Sequence, residues 1–262
     1  MGAGLAIAAA VMYLLAASAV VPKLGPAGRP TLALVALALH AAALLQTLVH
    51  EGQLTVGVSE ALSLFAWQAA VLLWILCLTQ QLQGLTLAVY PLAAIAALTA
   101  GLVPSSVTGI PLVEWKLQLH VALSLFAAGF LSLAAVQALA VAVQDRRLHR
   151  RRQTSTGLAW PPLQTMESLL FQLIAAGFFM LSLSLATGLL FVDDLLAQHL
   201  AHKTVLTSLA WLIFGTLLWG RWRSGWRGRA ALRWTISGYL VLFIGYFGSK
   251  FVLEQMLGKH WT

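Results

Sequence analysis

The feature that most constrains this chain is a series of eight apolar runs, each about as long as a membrane is thick. They lie near residues 3–21, 30–49, 58–77, 84–103, 117–143, 167–191, 204–220 and 234–257. A helix needs roughly 20 apolar residues to cross a hydrocarbon core about 30 Å thick. Lipid offers backbone groups no hydrogen-bond partner, and the alternating pattern of a barrel strand is absent, so each run is predicted to be helical. We therefore expect an all-α, polytopic transmembrane bundle of about eight helices, which forms a single membrane domain over residues 1–262.

The composition excludes several classes of protein. Hydrophobic residues make up 60% of the 262 positions and charged residues only 9%, whereas charged residues are about a quarter of an ordinary globular chain. The single cysteine, Cys77, excludes a disulfide framework, a CxxC redox pair and a cysteine-based zinc site. The common catalytic sequence motifs are absent, so a binding protein is expected rather than an enzyme.

The basic residues are confined to alternate connections between the apolar runs. Lys23 and Arg29 follow the first run, and two arginine clusters follow the fifth and seventh. The clusters consist of Arg146, Arg147, Arg150, Arg151 and Arg152, and of Arg221, Arg223, Arg227, Arg229 and Arg233. The positive-inside rule predicts that these connections are cytoplasmic, that 144–164 is a basic cytoplasmic loop, and that both termini lie outside. Tryptophans among the second cluster indicate an interfacial aromatic belt, so the expected partner is the lipid bilayer and not nucleic acid.

Histidines are the informative polar residues, because ionisable side chains near a membrane interior usually face a cavity or a partner. With this topology most of them fall at or near the outer face, namely His50, His120, His199, His202 and His260. His40 lies in the middle of the second run, and His149 is cytoplasmic. Imidazole binds iron, copper, zinc and nickel, so histidines gathered at one face are candidate ligands of a metal or of a heme iron.

Two histidines are spaced for a small metal site. His199 and His202 are three residues apart, which places both on one face if the segment is helical. Together with His50, and with Asp193 and Asp194 nearby, they could bind a divalent metal ion. The alternative interpretation is that they are hydrated side chains at the membrane interface.

Several segments in the right order resemble the cytochrome c assembly membrane proteins of the CcsA type, and most resemble the YpjD and HemX branch of that family. The matching segments are 57–67, Trp115 to Ser124 with His120, Lys203 to Trp211, 225–230, Tyr246 to Gly248, and Gly258 to His260. The resemblance covers roughly residues 30 to 260. The stretch from Asp193 to His202 lacks the tryptophans of the family's heme-delivery members, which is why the YpjD and HemX branch is favoured.

The resemblance implies a heme-handling or heme-sensing protein of a bacterial inner membrane, with His120 and His260 as the two axial ligands of a b-type heme near the outer face. Heme-delivery or other membrane proteins are the implied partners. His40 is predicted to make a polar contact within the bundle, either as part of a proton relay or as an internal heme ligand. The alternative functions are a transport-related or regulatory subunit with the outer metal site formed by His50, His199 and His202, and a scaffold that binds a partner protein.

Overall fold

The computed structural model describes most of the chain. The described residues are 2–18, 28–50, 53–54, 58–79, 83–103, 110–111, 115–149, 162–191 and 198–248. Within them the fold is helical apart from three two-residue strands. The prediction of an all-α polytopic bundle with eight helices is therefore confirmed.

The helices follow the apolar runs closely. They are α1 Gly2–Ala17, α2 Gly28–Leu48, α3 Val58–Thr79, α4 Gln83–Leu102, α5 Trp115–His149, α6 Leu163–Phe191, α7 Gln198–Ser224 and α8 Gly228–Phe243. A five-residue π-helical segment, Ile244–Gly248, continues directly from α8. Among the described residues, six helices, α2 to α7, are long and apolar enough to cross a membrane, and α1 is apolar but shorter.

Large apolar side chains on the outside of the helices match a lipid environment. Leu190 is 76% exposed, and Leu45 and Ile95 are similarly open. A water-soluble monomer rarely exposes contiguous apolar surface on this scale, whereas a lipid-facing helix requires it. The chain is therefore a multi-pass membrane protein whose solvent is the bilayer.

The described helices fall into two compact units, of which the first contains α1 to α4. Small residues let these helices approach closely, as they commonly do in membranes. A Cβ atom at Gly101 would collide with the Cβ of Ala6, so glycine is required where α4 meets α1. Two tryptophans of α3 tie it to α2, because the indole N–H of Trp67 donates to the Leu37 carbonyl and that of Trp74 to the Pro30 carbonyl, both at 2.9 Å.

Three short strands also belong to the first unit. Strand β1 (Val49–His50) pairs antiparallel with β2 (Gln53–Leu54), which pairs antiparallel with β3 (Ile110–Pro111). They connect the segment between α2 and α3 with the segment that follows α4. The sheet therefore provides hydrogen-bond partners for backbone groups of these two connections, which lie outside the helices.

The second unit contains α5 to α8 and the π-helical segment. Two contacts show that α5 and α6 run antiparallel. The Gln137 amide donates to the Met166 carbonyl near one end of the pair, and His120 contacts Ser184 near the other end. At the Gln137 end, a turn with Gly225 and Gly228 at φ of +64° and +54° joins α7 to α8. The backbone N–H of Gly228 donates to the Glu167 carboxylate at 2.9 Å. Only glycine adopts such φ values freely, which fixes this turn.

Helix α5 ends later than the apolar pattern predicts. It continues six residues into the segment 144–164, through Arg146 and Arg147 to His149. Arginine and leucine are good helix formers, and cations stabilise the C-terminal end of a helix. Residues 150–161 of the predicted loop lie outside the described residues. A single membrane domain over 1–262, and both termini outside, remain predictions.

Candidate functional site

His120 is held in a defined orientation near the start of α5. Its Nδ1 lies 3.0 Å from the backbone oxygen of Ser184 and 3.2 Å from the Thr187 hydroxyl oxygen, both on α6. A carbonyl oxygen can only accept, so Nδ1 carries the proton and the lone pair of the neutral ring is on Nε2. This is the arrangement in which protein histidines commonly bind metals, because the second-shell hydrogen bond fixes the ring.

His120 lines a cavity of about 360 Å³ inside the second unit. The size falls in the range of small-molecule binding sites. The described residues that line it include one imidazole, one amine and several hydroxyls, but no carboxylate and no thiol. The polar members are His120, Ser124, Ser184, Lys203, Thr204, Thr207, Ser208 and Tyr246.

A cluster of hydroxyls lies beside His120 in the lining of the cavity. The Ser124 hydroxyl donates to the His120 carbonyl at 2.8 Å and lies 2.6 Å from the Ser184 hydroxyl oxygen. Since the single proton of Ser124 is already used, Ser184 is the donor in the second bond. The Tyr246 hydroxyl also bonds Ser124. This cluster joins α5, α6 and the π-helical segment around the histidine.

Two features of the backbone leave room at the cavity. Gly188 lies beside the imidazole, where an added Cβ would come within 3.2 Å of the His120 Cε1 atom. The last helix changes from α to π geometry at Ile244, and Gly245 and Tyr246 of that segment line the cavity. Single π turns inside helices occur frequently at functional sites.

His40 is placed very differently, in the first unit. Its side chain is fully buried, with Nδ1 3.3 Å from the Tyr13 hydroxyl and Nε2 2.8 Å from the Ser63 hydroxyl. The Tyr13 ring also contacts the Tyr90 ring, with 5.6 Å between centroids. Both ring nitrogens are therefore hydrogen-bonded within the bundle. Ligation of an iron by His40 would require one of these bonds to break.

The remaining predicted ligands cannot be placed by their side chains. His50 belongs to strand β1, and His199 and His202 belong to the first turns of α7, but only their backbone is described. Asp193, Asp194 and His260 lie outside the described residues. Among the side chains that the structure does describe, no group of three or more histidine, cysteine or acidic residues could hold a metal ion.

The described arginines of the second unit lie at the end of that unit opposite His120. The Arg221 guanidinium lies 4.5 Å from the centre of the Phe171 ring and donates to the Trp226 carbonyl. Arg146 and Arg147 are in the last turn of α5, whereas His120 is near its start. Trp222 is 85% exposed beside this cluster, as expected of an interfacial aromatic residue.

Comparison with known protein sequences identifies the family of this chain. The sequence model of a family described as cytochrome C assembly protein matches residues 29–257, which is most of the chain. The chain belongs to this family. The prediction from the sequence segments is thereby confirmed, including its relation to the YpjD and HemX branch.

Individual relatives cover part of the family match. The inner membrane protein YpjD of Escherichia coli is 34% identical over 138 residues, which are 53% of this chain and 52% of the relative. Protein HemX of Brevibacillus brevis is 27% identical over 49% of this chain and 48% of its own length. A cytochrome c biogenesis protein CcsA of Gloeobacter violaceus is 23% identical over 37% of this chain and 30% of its own. The chain thus spans about half the length of the first of these relatives. No solved structure matches the chain.

Sequence reasoning identified His120 but missed most of its surroundings. Ser184 and Gly188 are four residues apart on α6, so they share a helix face, and this small-residue spacing was a usable signal. Ser124 follows His120 by the same spacing. The contribution of the Ser184 backbone oxygen had no sequence signal, because every residue carries a carbonyl.

Proposed function

We propose that this family member handles or senses heme, and that His120 and His260 are the axial ligands of a b-type heme near the outer face of a bacterial inner membrane. The observation that carries the proposal is the hydrogen bond from His120 Nδ1 to the Ser184 carbonyl beside a cavity. That bond leaves the Nε2 lone pair for a ligand. His260 enters the proposal from the family resemblance.

The chemistry of the cavity fits a heme better than a bare divalent cation. Its described lining supplies an imidazole, which suits iron, but none of the carboxylate oxygens or thiolates that complete most zinc sites. A heme needs only axial protein ligands, since the porphyrin fills the other positions of the iron. When bound it would supply redox-active iron, while His120 and the apolar lining would hold and orient the macrocycle.

The assignment to the outer face rests on charge. The arginine clusters at the ends of α5 and α7 favour the cytoplasmic side, and His120 is at the opposite end of the same unit. The names of two relatives support the proposed membrane and the proposed link to cytochrome c. One relative is called an inner membrane protein and the other a cytochrome c biogenesis protein.

The visible spectrum and pyridine hemochrome of the detergent-purified protein from a heme-replete host test the proposal. We expect a b-type hemochrome in the unmodified protein and loss of most of the signal in His120→Ala and in His260→Ala. The matched control is His149→Ala, since His149 is exposed at the far end of α5 and bonds only Asp145 among the described residues. Size-exclusion profiles confirm that each variant is folded.

Three outcomes would contradict the proposal. They are a preparation without heme, a spectrum unchanged in both variants, and stoichiometric zinc or copper without porphyrin by elemental analysis. The last would favour the metal site of His50, His199 and His202. A reporter fused to the C-terminus tests the orientation separately, and activity of a cytoplasmic reporter would contradict an outer site.

A further inference from the structure

Four exposed arginines lie at the turn between α7 and α8. They are Arg223, Arg227, Arg229 and Arg233. Within the described part of the chain, none of the four side chains forms an ion pair, a hydrogen bond or a ring contact. Arg221 differs from them, because its guanidinium lies over the Phe171 ring and donates to the Trp226 carbonyl. Arg221 therefore stabilises the turn, whereas the other four guanidinium groups can bind a ligand.

Among the described residues, no acidic side chain neutralises these four arginines. Residues 198–248 contain no aspartate and no glutamate. The Glu167 carboxylate of α6 reaches the turn, but it accepts a hydrogen bond from the backbone N–H of Gly228 at 2.9 Å. Positive charges near one another repel, and an anion between them removes the repulsion. Phosphate is a suitable anion, because the planar guanidinium binds its oxygens through two parallel hydrogen bonds.

The exposed arginines continue the lipid-facing surface of the two helices. On α7, Leu212, Trp219 and Arg223 are exposed at positions i, i+7 and i+11, which places them on one helix face. On α8, Arg233 and Leu240 are exposed at positions i and i+7, again on one face. Each face thus leads from apolar residues to an arginine at the end where α7 joins α8. A long arginine side chain extends from such an end to the level of the phospholipid phosphates.

Tryptophans surround these arginines. Trp219 and Trp222 of α7 are exposed. Trp226 lies between the two helices, because a Cβ at Gly220 of α7 would collide with its ring, and its ring centroid is 5.5 Å from that of Trp234 on α8. Indole rings favour the layer where acyl chains meet the headgroups. A soluble phosphate would leave the exposed rings uncovered, whereas a phospholipid covers them with its glycerol and acyl chains. The combination of residues therefore favours a lipid.

The turn holds these groups in place before a lipid binds. The backbone N–H of Gly225 donates to the Arg221 carbonyl at 3.1 Å, and that of Trp226 donates to the Gly220 carbonyl at 3.2 Å. A binding surface that is already ordered loses less conformational entropy when its ligand binds.

We propose that the turn between α7 and α8 binds the headgroup of an anionic phospholipid through Arg223, Arg229 and Arg233, with the exposed tryptophans against its glycerol and acyl chains. The lipid links the ends of two helices at the basic side of the membrane, where anionic headgroups attract arginines next to a membrane span. The site lies at the opposite end of the unit from His120 and requires no heme, so it is independent of the proposed function.

Phosphatidylglycerol and phosphatidylcholine with the same acyl chains are the probes that test the proposal. Both carry a phosphate, but the choline group makes the second lipid neutral. Native mass spectrometry of the delipidated, detergent-purified full chain measures the binding of each lipid. We expect phosphatidylglycerol to bind about tenfold more tightly, which corresponds to about 1.4 kcal/mol.

Variants of Arg233 locate the site. Arg233→Gln should weaken binding of phosphatidylglycerol about fivefold and leave binding of phosphatidylcholine unchanged, since it removes one charge-assisted contact. Arg233→Lys should retain most of the affinity, because it keeps the charge. The matched control is Arg146→Gln, which removes an exposed arginine from the last turn of α5 at the same end of the unit. Size-exclusion profiles check that each variant is folded.

The proposal fails in three cases. They are equal affinity for the two lipids, equal effects of Arg233→Gln and Arg146→Gln, and displacement of phosphatidylglycerol by inorganic phosphate or by a short RNA. Inorganic phosphate and RNA share the anionic group but have no acyl chains, so displacement by either would assign the arginines to a soluble ligand.

Discussion

His40 in the first unit and His120 in the second both contact polar groups of neighbouring helices, yet they differ in one respect. His40 is fully buried and has both ring nitrogens hydrogen-bonded, to Tyr13 and Ser63. His120 has hydrogen-bond partners on Nδ1 and faces a cavity. The hydrogen bonds of the two ring nitrogens therefore distinguish a histidine that links helices from one that can bind a ligand. The burial of the side chain does not.

The largest expected effect concerns stability in the first unit. His40→Leu removes both ring hydrogen bonds and leaves the Tyr13 and Ser63 hydroxyls buried without it, which should lower the free energy of unfolding by about 2 kcal/mol. Thermal or denaturant unfolding in detergent measures this. Heme content of the folded fraction should not change. His149→Leu, at an exposed helix end, is the control and should have little effect. Loss of heme in a stable His40→Leu protein would instead support an internal heme ligand.

The next effect concerns ligand binding in the second unit. A Cβ at position 188 would lie 3.2 Å from His120 Cε1, so the larger side chain of Gly188→Val should displace the imidazole. Overpacking of this kind costs about 1.4 kcal/mol or more, which predicts at least a tenfold weaker heme affinity by hemin titration. Gly4→Val is the control, because nothing lies within 4 Å of a Cβ there. Unchanged affinity in Gly188→Val would remove His120 from the site.

A smaller change should distinguish the two hydrogen bonds of His40. Tyr13→Phe keeps the ring contacts with His40 and Tyr90 but removes the hydroxyl 3.3 Å from Nδ1. We expect a loss of about 1 kcal/mol in unfolding free energy, the usual worth of one hydrogen bond. The measurement is the same unfolding experiment. A loss as large as that of His40→Leu would show that Tyr13, and not the imidazole, organises the cluster.

The smallest effect tests the orientation of His120. Thr187→Val removes the second acceptor of Nδ1 and leaves the Ser184 carbonyl in place. Heme affinity should fall two- to threefold, which corresponds to about 0.5 kcal/mol. Thr216→Val is matched to it, since Thr216 also bonds its own helix but is exposed elsewhere on α7. Equal titration curves for the two variants would show that the carbonyl alone fixes the ring.

Much of the fold could be predicted from the sequence, because apolar runs of spanning length have few other structures available in lipid. The first and last residues of the helices could be predicted less well, because hydropathy does not mark where a helix begins or ends. Helix α8 begins at Gly228, ahead of the apolar run near 234, because the turn at Gly225 and Gly228 determines its start. The change to π geometry at Ile244 leaves no trace in hydropathy, since it alters hydrogen bonding and not composition.

The site could be predicted only in part. Imidazoles in an apolar chain drew attention to His40 and His120, but their sequence contexts do not reveal which nitrogens are engaged. That depends on contacts 23 to 67 residues away along the chain, such as His40 with Ser63 and His120 with Thr187. Lys203, Thr204, Thr207 and Ser208 of α7 also line the cavity, which no feature of their sequence indicates.

Helix α5 is longer than the hydrocarbon core of a membrane is thick. Its 35 residues extend about 52 Å, whereas the hydrocarbon is about 30 Å thick. Even at a tilt of about 40°, the steepest commonly seen, the helix would rise about 40 Å along the bilayer normal. At least two turns must therefore stand clear of the acyl chains. Because Arg146 and Arg147 lie in its last turn, the excess length is best accommodated at that end, among the polar lipid headgroups and not among the acyl chains.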